Sequence, residues 1–517
     1  MIQQKLEFNK ESNEIPNENL SSTFVVDKVR EERQLIALNR WIKKGNGVLQ
    51  WATGTGKTYI GILAIKKLNI NKPDYTINVV VPSTKLKEDW VGNKTKLGHI
   101  QKHNLKNVKV YVINTYVNNI KKFGSINCDF LLVDEVHRTG ATSFSLTLEK
   151  TNRRFFMGLT ATLERLDGRH EIIMSKGGGI VDILTDTEAK KLGFISDYLI
   201  FNLGIDISEE SKKLYNFYNS KFREKFLYFN NDFSLAMACS MKNSPRYINN
   251  KWEHSEAVKF AILNGYLCDD LNLIINRFNR NKQIKEENKG KKRKDKVRLL
   301  KLYENDNLHA YHPDKVYLNG VLFRHYMQLR KDFVYKLKEK LPYLKELVDI
   351  FPDKQIITFS ESANYADSIV ELLGEDKCKA YHTKLKTKEK NSNISEFEKG
   401  NIKILSTVKA LNEGFDVPNV EITVNLSQTR SKTAAIQKRG RANRKDYNNE
   451  NKLAIHVNIF INDFYYEGQF ITSSERKTIV DNQRGQSPIF VTSISQIKEI
   501  VEERLGNKDE NYNLIMD

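Results

Sequence analysis

Cysteine is scarce in this chain of 517 residues: there are four, Cys128, Cys239, Cys268 and Cys378, scattered without the spacing of metal ligands. That argues against both a disulfide framework and a zinc site, and predicts a reducing, cytoplasmic setting. Long apolar runs are also missing, since none approaches the roughly 20 residues needed to cross a bilayer. The opening Met1-Ile2-Gln3-Gln4-Lys5 lacks the apolar core of a secretory signal. A membrane or exported protein is therefore not expected. Acidic charge is the third shortage. Lys and Arg number 83 against 64 Asp and Glu, giving a formal net charge of +19 and a pI of about 9.4. Such a balance suits a polyphosphate partner, although charge alone would equally suit an anionic membrane surface. The abundance of Lys, Asn and Ile points to an AT-rich genome and fits a phage or a low-GC bacterium.

What is present begins at residues 49–62, Leu-Gln-Trp-Ala-Thr-Gly-Thr-Gly-Lys-Thr-Tyr-Ile-Gly-Ile, between a short apolar strand and an amphipathic helix. Gly54 and Gly56 allow a tight turn that aims backbone N–H groups at a polyphosphate, with Thr53 and Thr55 in the same loop. The helix starting near Lys57 adds the favourable charge of its N-terminus. Lys57 would reach the β- and γ-phosphates, and the Thr58 hydroxyl would sit on Mg²⁺. The strict pattern has Gly where Trp51 stands, and Gly-Lys-Thr also arises in plain strand–helix turns.

A second motif decides between those readings. Asp129-Phe130-Leu131-Leu132-Val133 has the length of a buried strand and ends in Asp134-Glu135-Val136-His137. Carboxylates at the C-terminal end of a parallel strand lie where nucleotides bind in an open α/β sheet. Asp134 would hold Mg²⁺ through its water shell, and Glu135 would polarise the attacking water. Alone, an Asp-Glu pair is a solvated strand end; behind a phosphate loop it makes an NTPase.

Together, Thr53–Thr58 and Asp134–His137 resemble the superfamily 2 helicases of the DExH type. Other motifs follow in that family's order: Gln34 in an upstream glutamine region, Val80-Val81-Pro82-Ser83 with Leu86 and Trp90, Asn114-Thr115-Tyr116, and Leu159-Thr160-Ala161-Thr162. The tail Leu163-Glu164-Arg165-Leu166-Asp167-Gly168 is similar to that of restriction-enzyme and repair helicases, with Leu163 where Pro is usual. Ile356–Phe359, Ser406-Thr407 through Glu413–Pro418, and Gln437-Lys438-Arg439-Gly440-Arg441-Ala442-Asn443-Arg444 resemble the three later motifs, with Lys438 in place of Arg. The likeness spans about residues 26 to 465, apart from the middle.

The resemblance implies that Gln34, Gly414 and Asp416 lie at the nucleotide, that Gln437 contacts the hydrolytic site, and that His137 couples hydrolysis to Thr160 and Thr162. Arg441 and Arg444, three residues apart, are expected to share one helix face and reach across a cleft as arginine fingers. Pro82, Ser83, Thr115 and Thr407 would contact sugar-phosphate backbone, which gives affinity without sequence readout.

The fold expected is α/β, with two tandem parallel-sheet lobes of the RecA kind and a mainly helical insert. Residues 1–25 form a polar arm, 26–204 the first lobe, 205–345 the insert, 346–469 the second lobe and 470–517 a C-terminal extension. In the insert, Tyr215, Phe217, Tyr218, Phe222, Phe226, Tyr228 and Phe229 read either as core or as base-stacking platforms. The run Lys291-Lys292-Arg293-Lys294 is a solvated loop or a phosphate contact.

The function expected is an ATP- and Mg²⁺-dependent helicase or translocase on single-stranded, duplex or branched DNA, in replication, recombination, repair or phage defence. It would work in the cytoplasm of a bacterial or phage-infected cell. No nuclease signature stands in the flanks, so cleavage would come from a nuclease partner, or a replication or recombination protein would direct the motor. An RNA helicase, or an ATP-gated scaffold subunit of a defence or restriction complex, remains open.

Overall fold

The computed structural model describes residues 22–93, 96–164, 168–241, 256–265, 271–300, 309–408, 419–428, 431–446, 449, 451–483 and 485–516. The chain forms two compact units. One comprises Met1–Ile205, Glu339–Phe460 and Ser474–Asp517, the other Asp206–Lys338 and Ile461–Ser473.

The first unit holds two parallel sheets, the tandem RecA-like lobes. In the first lobe the strands are β1 (Asn46–Trp51), β2 (Ile77–Val81), β3 (Val108–Val112), β4 (Phe130–Asp134), β5 (Phe155–Thr160) and β6 (Ile180–Leu184), in the order β3-β2-β4-β5-β1-β6. Strands β2 and β4, mainly apolar apart from Asn78 and Asp134, are buried along their whole length, as happens when helices cover both faces of a parallel sheet. This order brings the end of β1, which leads into the phosphate loop, to one side of β5, and the end of β4, with Asp134, to the other. Trp51, the last residue of β1, has a structural role. Its indole N–H donates to the buried carboxylate of Asp182 at 2.7 Å, which also accepts from Arg33 at 2.7 Å and from Arg40.

The second sheet contains β7 (Asp197–Ile205), β8 (Gln355–Ser360), β9 (Cys378–Tyr381), β10 (Ile404–Val408), β11 (Val420–Asn425) and β12 (Leu453–Ile461). Strands β13 (Phe464–Tyr466) and β14 (Gln469–Ile471) pair with each other as a separate two-stranded hairpin, and β15 (Ile489–Val491) completes the second sheet in the order β9-β10-β8-β11-β12-β7-β15. Strand β7, which the sequence suggested as the end of the first lobe, thus has its hydrogen-bond partners in the second. Strand β15, from the C-terminal extension, pairs beside it in parallel register.

The other unit is mainly helical. Helix Glu209–Tyr228 lies along helix Pro313–Tyr335, where Phe222 and Phe226 meet Phe323 at ring-centroid distances of 5.1 and 5.5 Å. Tyr215 and Phe229 are buried, and Tyr215 lies 5.8 Å from Phe464 of the β13–β14 hairpin. Most of the aromatic series is therefore core, as helical spacing favours. Phe217 stays half exposed, and Lys291, Lys292 and Lys294 are exposed beyond helix Leu271–Glu287. Among the described residues, no helix is long and apolar enough to cross a membrane.

Candidate active site

The phosphate loop turns on two left-handed glycines, Gly54 at φ 86° and Gly56 at φ 87°, a region L side chains rarely adopt. A β-carbon on Gly56 would also lie 2.5 Å from Gln34 Nε2, which donates to the Gly56 carbonyl at 3.3 Å. Gln34 thereby braces the loop from the helix Ser22–Lys44. Thr55 is tied back through its hydroxyl to the Ala52 carbonyl at 2.7 Å. Helix Lys57–Asn71 starts directly after Gly56.

Lys57 is buried, with Nζ 3.0 Å from the Trp51 carbonyl and 3.2 Å from that of Ala52. Burial holds its ammonium group below the ordinary lysine pKa, against the pull of Glu135 and Asp134. The Thr58 hydroxyl faces Asp134 Oδ2 at 3.5 Å. A hydroxyl and a carboxylate converging on one point form an oxygen donor set suited to a hard divalent cation.

At the end of β4 the chain bends sharply. Glu135 sits at φ 51° and ψ 51°, a left-handed conformation uncommon for a residue with a β-carbon, before the short 3₁₀ helix Val136–Gly140. Its carboxylate lies 3.2 Å from His137 Nδ1, which is also 3.1 Å from the Thr160 hydroxyl. Thr160 donates to the Thr162 carbonyl at 2.8 Å. Burial alone would raise the Glu135 pKa. The hydrogen bond and charge of His137, with Lys57 and Arg138 behind it, hold the group below its usual value, an anion at neutral pH.

The second lobe approaches through helix Lys432–Arg439 and the turn beyond it. Arg441 and Arg444 do not share a helix face, contrary to their spacing. The helix stops at Arg439, residues 440–442 form a turn, and Arg444 stands in an isolated bridge with Ile195. Both side chains nevertheless line the cavity of about 430 Å³ that Lys57, Thr58, Glu135 and Gln437 also line. Burial lowers the Arg444 pKa to about 10, so the guanidinium remains charged at neutral pH.

Pro82, Ser83, Thr115 and Thr407, expected at a sugar-phosphate backbone, do not line this cavity. Pro82 is buried, and Ser83 caps helix Thr84–Val91 by accepting from the Leu86 N–H at 3.3 Å. Thr115 is exposed on helix Ile113–Phe123. Thr407 is fully buried, and its hydroxyl donates to the Thr358 carbonyl at 2.8 Å, inside the second sheet rather than at a surface. Gly414 and Asp416 lie outside the described residues. Sequence reasoning missed several cavity-lining residues, among them Arg30 and Phe194, whose guanidinium and ring centroid lie 5.3 Å apart. Arg30 lies a turn before Gln34 on its helix, which is the one periodicity that could have found it.

Comparison with known proteins agrees with this geometry. Residues 25–165 match the family of the type III restriction enzyme res subunit, and residues 339–446 match the helicase conserved C-terminal domain. The DNA 3'-5' translocase XPB2 of Sulfurisphaera tokodaii is 21% identical over 436 residues, 83% of this chain and 82% of that protein. A provisionally named ATP-dependent RNA helicase of Methanocaldococcus jannaschii is 24% identical over 454 residues, 81% of this chain but only 56% of its own length. The DNA 3'-5' helicase XPB of Mycobacterium tuberculosis is 28% identical over 167 residues, 29% of each chain. With both helicase halves matched in order and the phosphate loop, Asp134-Glu135 pair and arginines gathered on one cavity, the matches support a superfamily 2 helicase related to the type III restriction enzymes, an ATP-hydrolysing enzyme.

Proposed function

We propose that this protein is an ATP- and Mg²⁺-dependent DNA helicase or translocase that tracks along one strand in the 3′ to 5′ direction. One observation carries the reading: Lys57, Glu135, Arg441 and Arg444, from two lobes, line the same cavity. Phosphoryl transfer needs positioning and stabilisation of charge spreading over the γ-phosphate oxygens, and little covalent chemistry from the protein. Lys57 would bind the β- and γ-phosphates from one side, and the two arginines would meet the developing charge from the other. Glu135, held as an anion, would orient and polarise the attacking water. Thr58 and Asp134 would hold the Mg²⁺, whose charge, when bound, offsets that of the phosphates. Hydrolysis would thus require both lobes to be aligned, which links it to the lobe movement a motor needs.

DNA rather than RNA is favoured by the match to restriction-enzyme res subunits and by the DNA-translocase relative covered over 82% of its length. Net charge of +19 suits a phosphate-backbone track read without sequence. The deciding experiment measures ATP turnover with and without single-stranded DNA or RNA, alongside strand displacement on tailed DNA and RNA duplexes of equal sequence. DNA should stimulate turnover and 3′-tailed DNA duplexes should be opened. Stimulation by RNA alone would make it an RNA helicase, and no response to either polymer would favour an ATP-gated scaffold.

A further inference from the structure

The arginine turn follows the end of helix Lys432–Arg439. Beyond Arg439 it continues through short local backbone bonds, such as Arg441 N–H to the Lys438 carbonyl at 3.3 Å and Ala442 N–H to that of Arg439 at 3.0 Å. Its outer end is held from outside. The Asn443 carbonyl accepts from the Ser196 N–H at 2.9 Å, and the Arg444 carbonyl accepts from Ser196 Oγ at 3.1 Å and Lys452 Nζ at 2.9 Å. These bonds fix the backbone. The side chain of Asn443, only 4% exposed, is fixed by a different group, His456 in the interior of β12.

His456 is wholly buried, with Nε2 2.6 Å from Asn443 Oδ1 and Nδ1 2.7 Å from the Thr423 hydroxyl. A neutral imidazole has one N–H and one lone pair, and this arrangement uses both: Nε2–H donates to the amide oxygen while Thr423 donates to Nδ1. Burial, with the positive charges of Arg439 and Lys452, keeps the ring neutral. The Tyr198 ring, 5.8 Å away, closes one side. A core strand of the second sheet therefore grips the residue next to Arg444 through two directional bonds in series.

We propose that His456 is a positioning residue for the Arg441–Arg444 pair, acting through Asn443. This rests on the reading of those arginines as the groups that stabilise charge during hydrolysis. Losing the bond would leave the Asn443 amide buried and unsatisfied, so the turn would shift to find a partner. A displacement of about 1 Å at a charge-stabilising group can cost about 100-fold in rate.

The test compares steady-state ATP hydrolysis, at saturating single-stranded DNA, of Asn443→Ala, His456→Leu, the double variant and His456→Gln, each with its melting temperature. Asn443→Ala should lower kcat roughly 10- to 100-fold, leaving KM for ATP within about twofold and the melting temperature close to wild type. His456→Leu should do the same, the double variant should fall no further, and His456→Gln, which keeps a donor for Asn443, should recover most of the rate. Wild-type kcat in Asn443→Ala, which leaves the strand core intact, overturns the proposal, as does a double variant whose losses multiply. Arg441→Ala and Arg444→Ala, measured in parallel, separate the two readings. If they keep wild-type turnover, the role of the arginines fails first; if they lose it while Asn443→Ala does not, only the His456 link fails.

Discussion

Gly440 of the second lobe faces Thr53 of the phosphate loop so closely that a β-carbon on Gly440 would lie 2.5 Å from the threonine Cγ2 and 2.6 Å from its Cβ. Neither atom is the far end of a flexible side chain, so this close approach cannot yield without moving backbone. The glycine is thus the point at which the arginine turn is allowed to close on the nucleotide loop.

Gly440→Ala should hold the turn away from the loop. The expected outcome is a loss of ATP turnover of about 10-fold or more, with the melting temperature of the protein little changed. Full activity in this variant would mean that the close approach is not needed for hydrolysis.

Lys57→Ala should reduce hydrolysis by at least about 100-fold, the usual scale for removing a preorganised electrostatic partner of the phosphates. Glu135→Gln should still bind ATP but turn it over about 10²- to 10⁴-fold more slowly, since it loses the carboxylate that polarises water. Nucleotide affinity by equilibrium titration and turnover by phosphate release separate the two defects.

Arg441→Ala and Arg444→Ala should lower kcat by about 10³-fold, with far less effect on ATP affinity, because they act on charge that develops in the transition state. Arg444, the residue clamped by Ser196 and Lys452, should show the larger loss. Equal loss of binding and turnover would assign them a ground-state role instead.

His456 also predicts a pH dependence of stability. Its pKa in the folded protein lies well below 6.5, because burial and then the Arg439 and Lys452 charges disfavour the imidazolium. Above pH 6.5 both folded and unfolded chains carry the neutral ring, and its stabilising contribution is whole. Below that value the unfolded chain takes up a proton that the folded chain refuses, so stability falls as pH falls. The loss from this group should set in as pH falls through about 6.5 and grow below it. Denaturant titrations of wild type and His456→Gln should converge as the pH is lowered through that value, and parallel curves would remove His456 as the cause.

Neutralising Lys291, Lys292, Arg293 and Lys294 together tests the basic run of the helical unit. If it touches a phosphate track, affinity for DNA should fall and the salt dependence should flatten by about one unit of slope for each phosphate no longer bound. DNA-free ATPase activity should be unaffected. An unchanged salt slope would identify the run as a solvated loop.

Local chemistry makes much of this protein legible in its sequence. Gly54, Gly56, Lys57 and Thr58, read together with Asp134-Glu135, pointed to a phosphate loop, and the mainly apolar runs at 77–81 and 130–133 pointed to buried parallel strands. The helical spacing of Tyr215, Phe222 and Phe229 favoured a packed face over a base-stacking platform without deciding it. What the tertiary structure alone decided involves partners far apart in sequence, which no local pattern encodes. Arg441 and Arg444 looked like neighbours on a helix, yet the helix ends before them and Ile195, Ser196 and Lys452 set their turn. Thr407 looked like a residue facing nucleic acid, yet its register beside Phe359 buries its hydroxyl in the sheet. Strand β7 joins the second sheet although it follows the first lobe in the chain, because its hydrogen-bonding edges meet β12 and β15 there. His456 is one more buried histidine in an apolar strand until the fold brings Asn443 to within 2.6 Å of its ring.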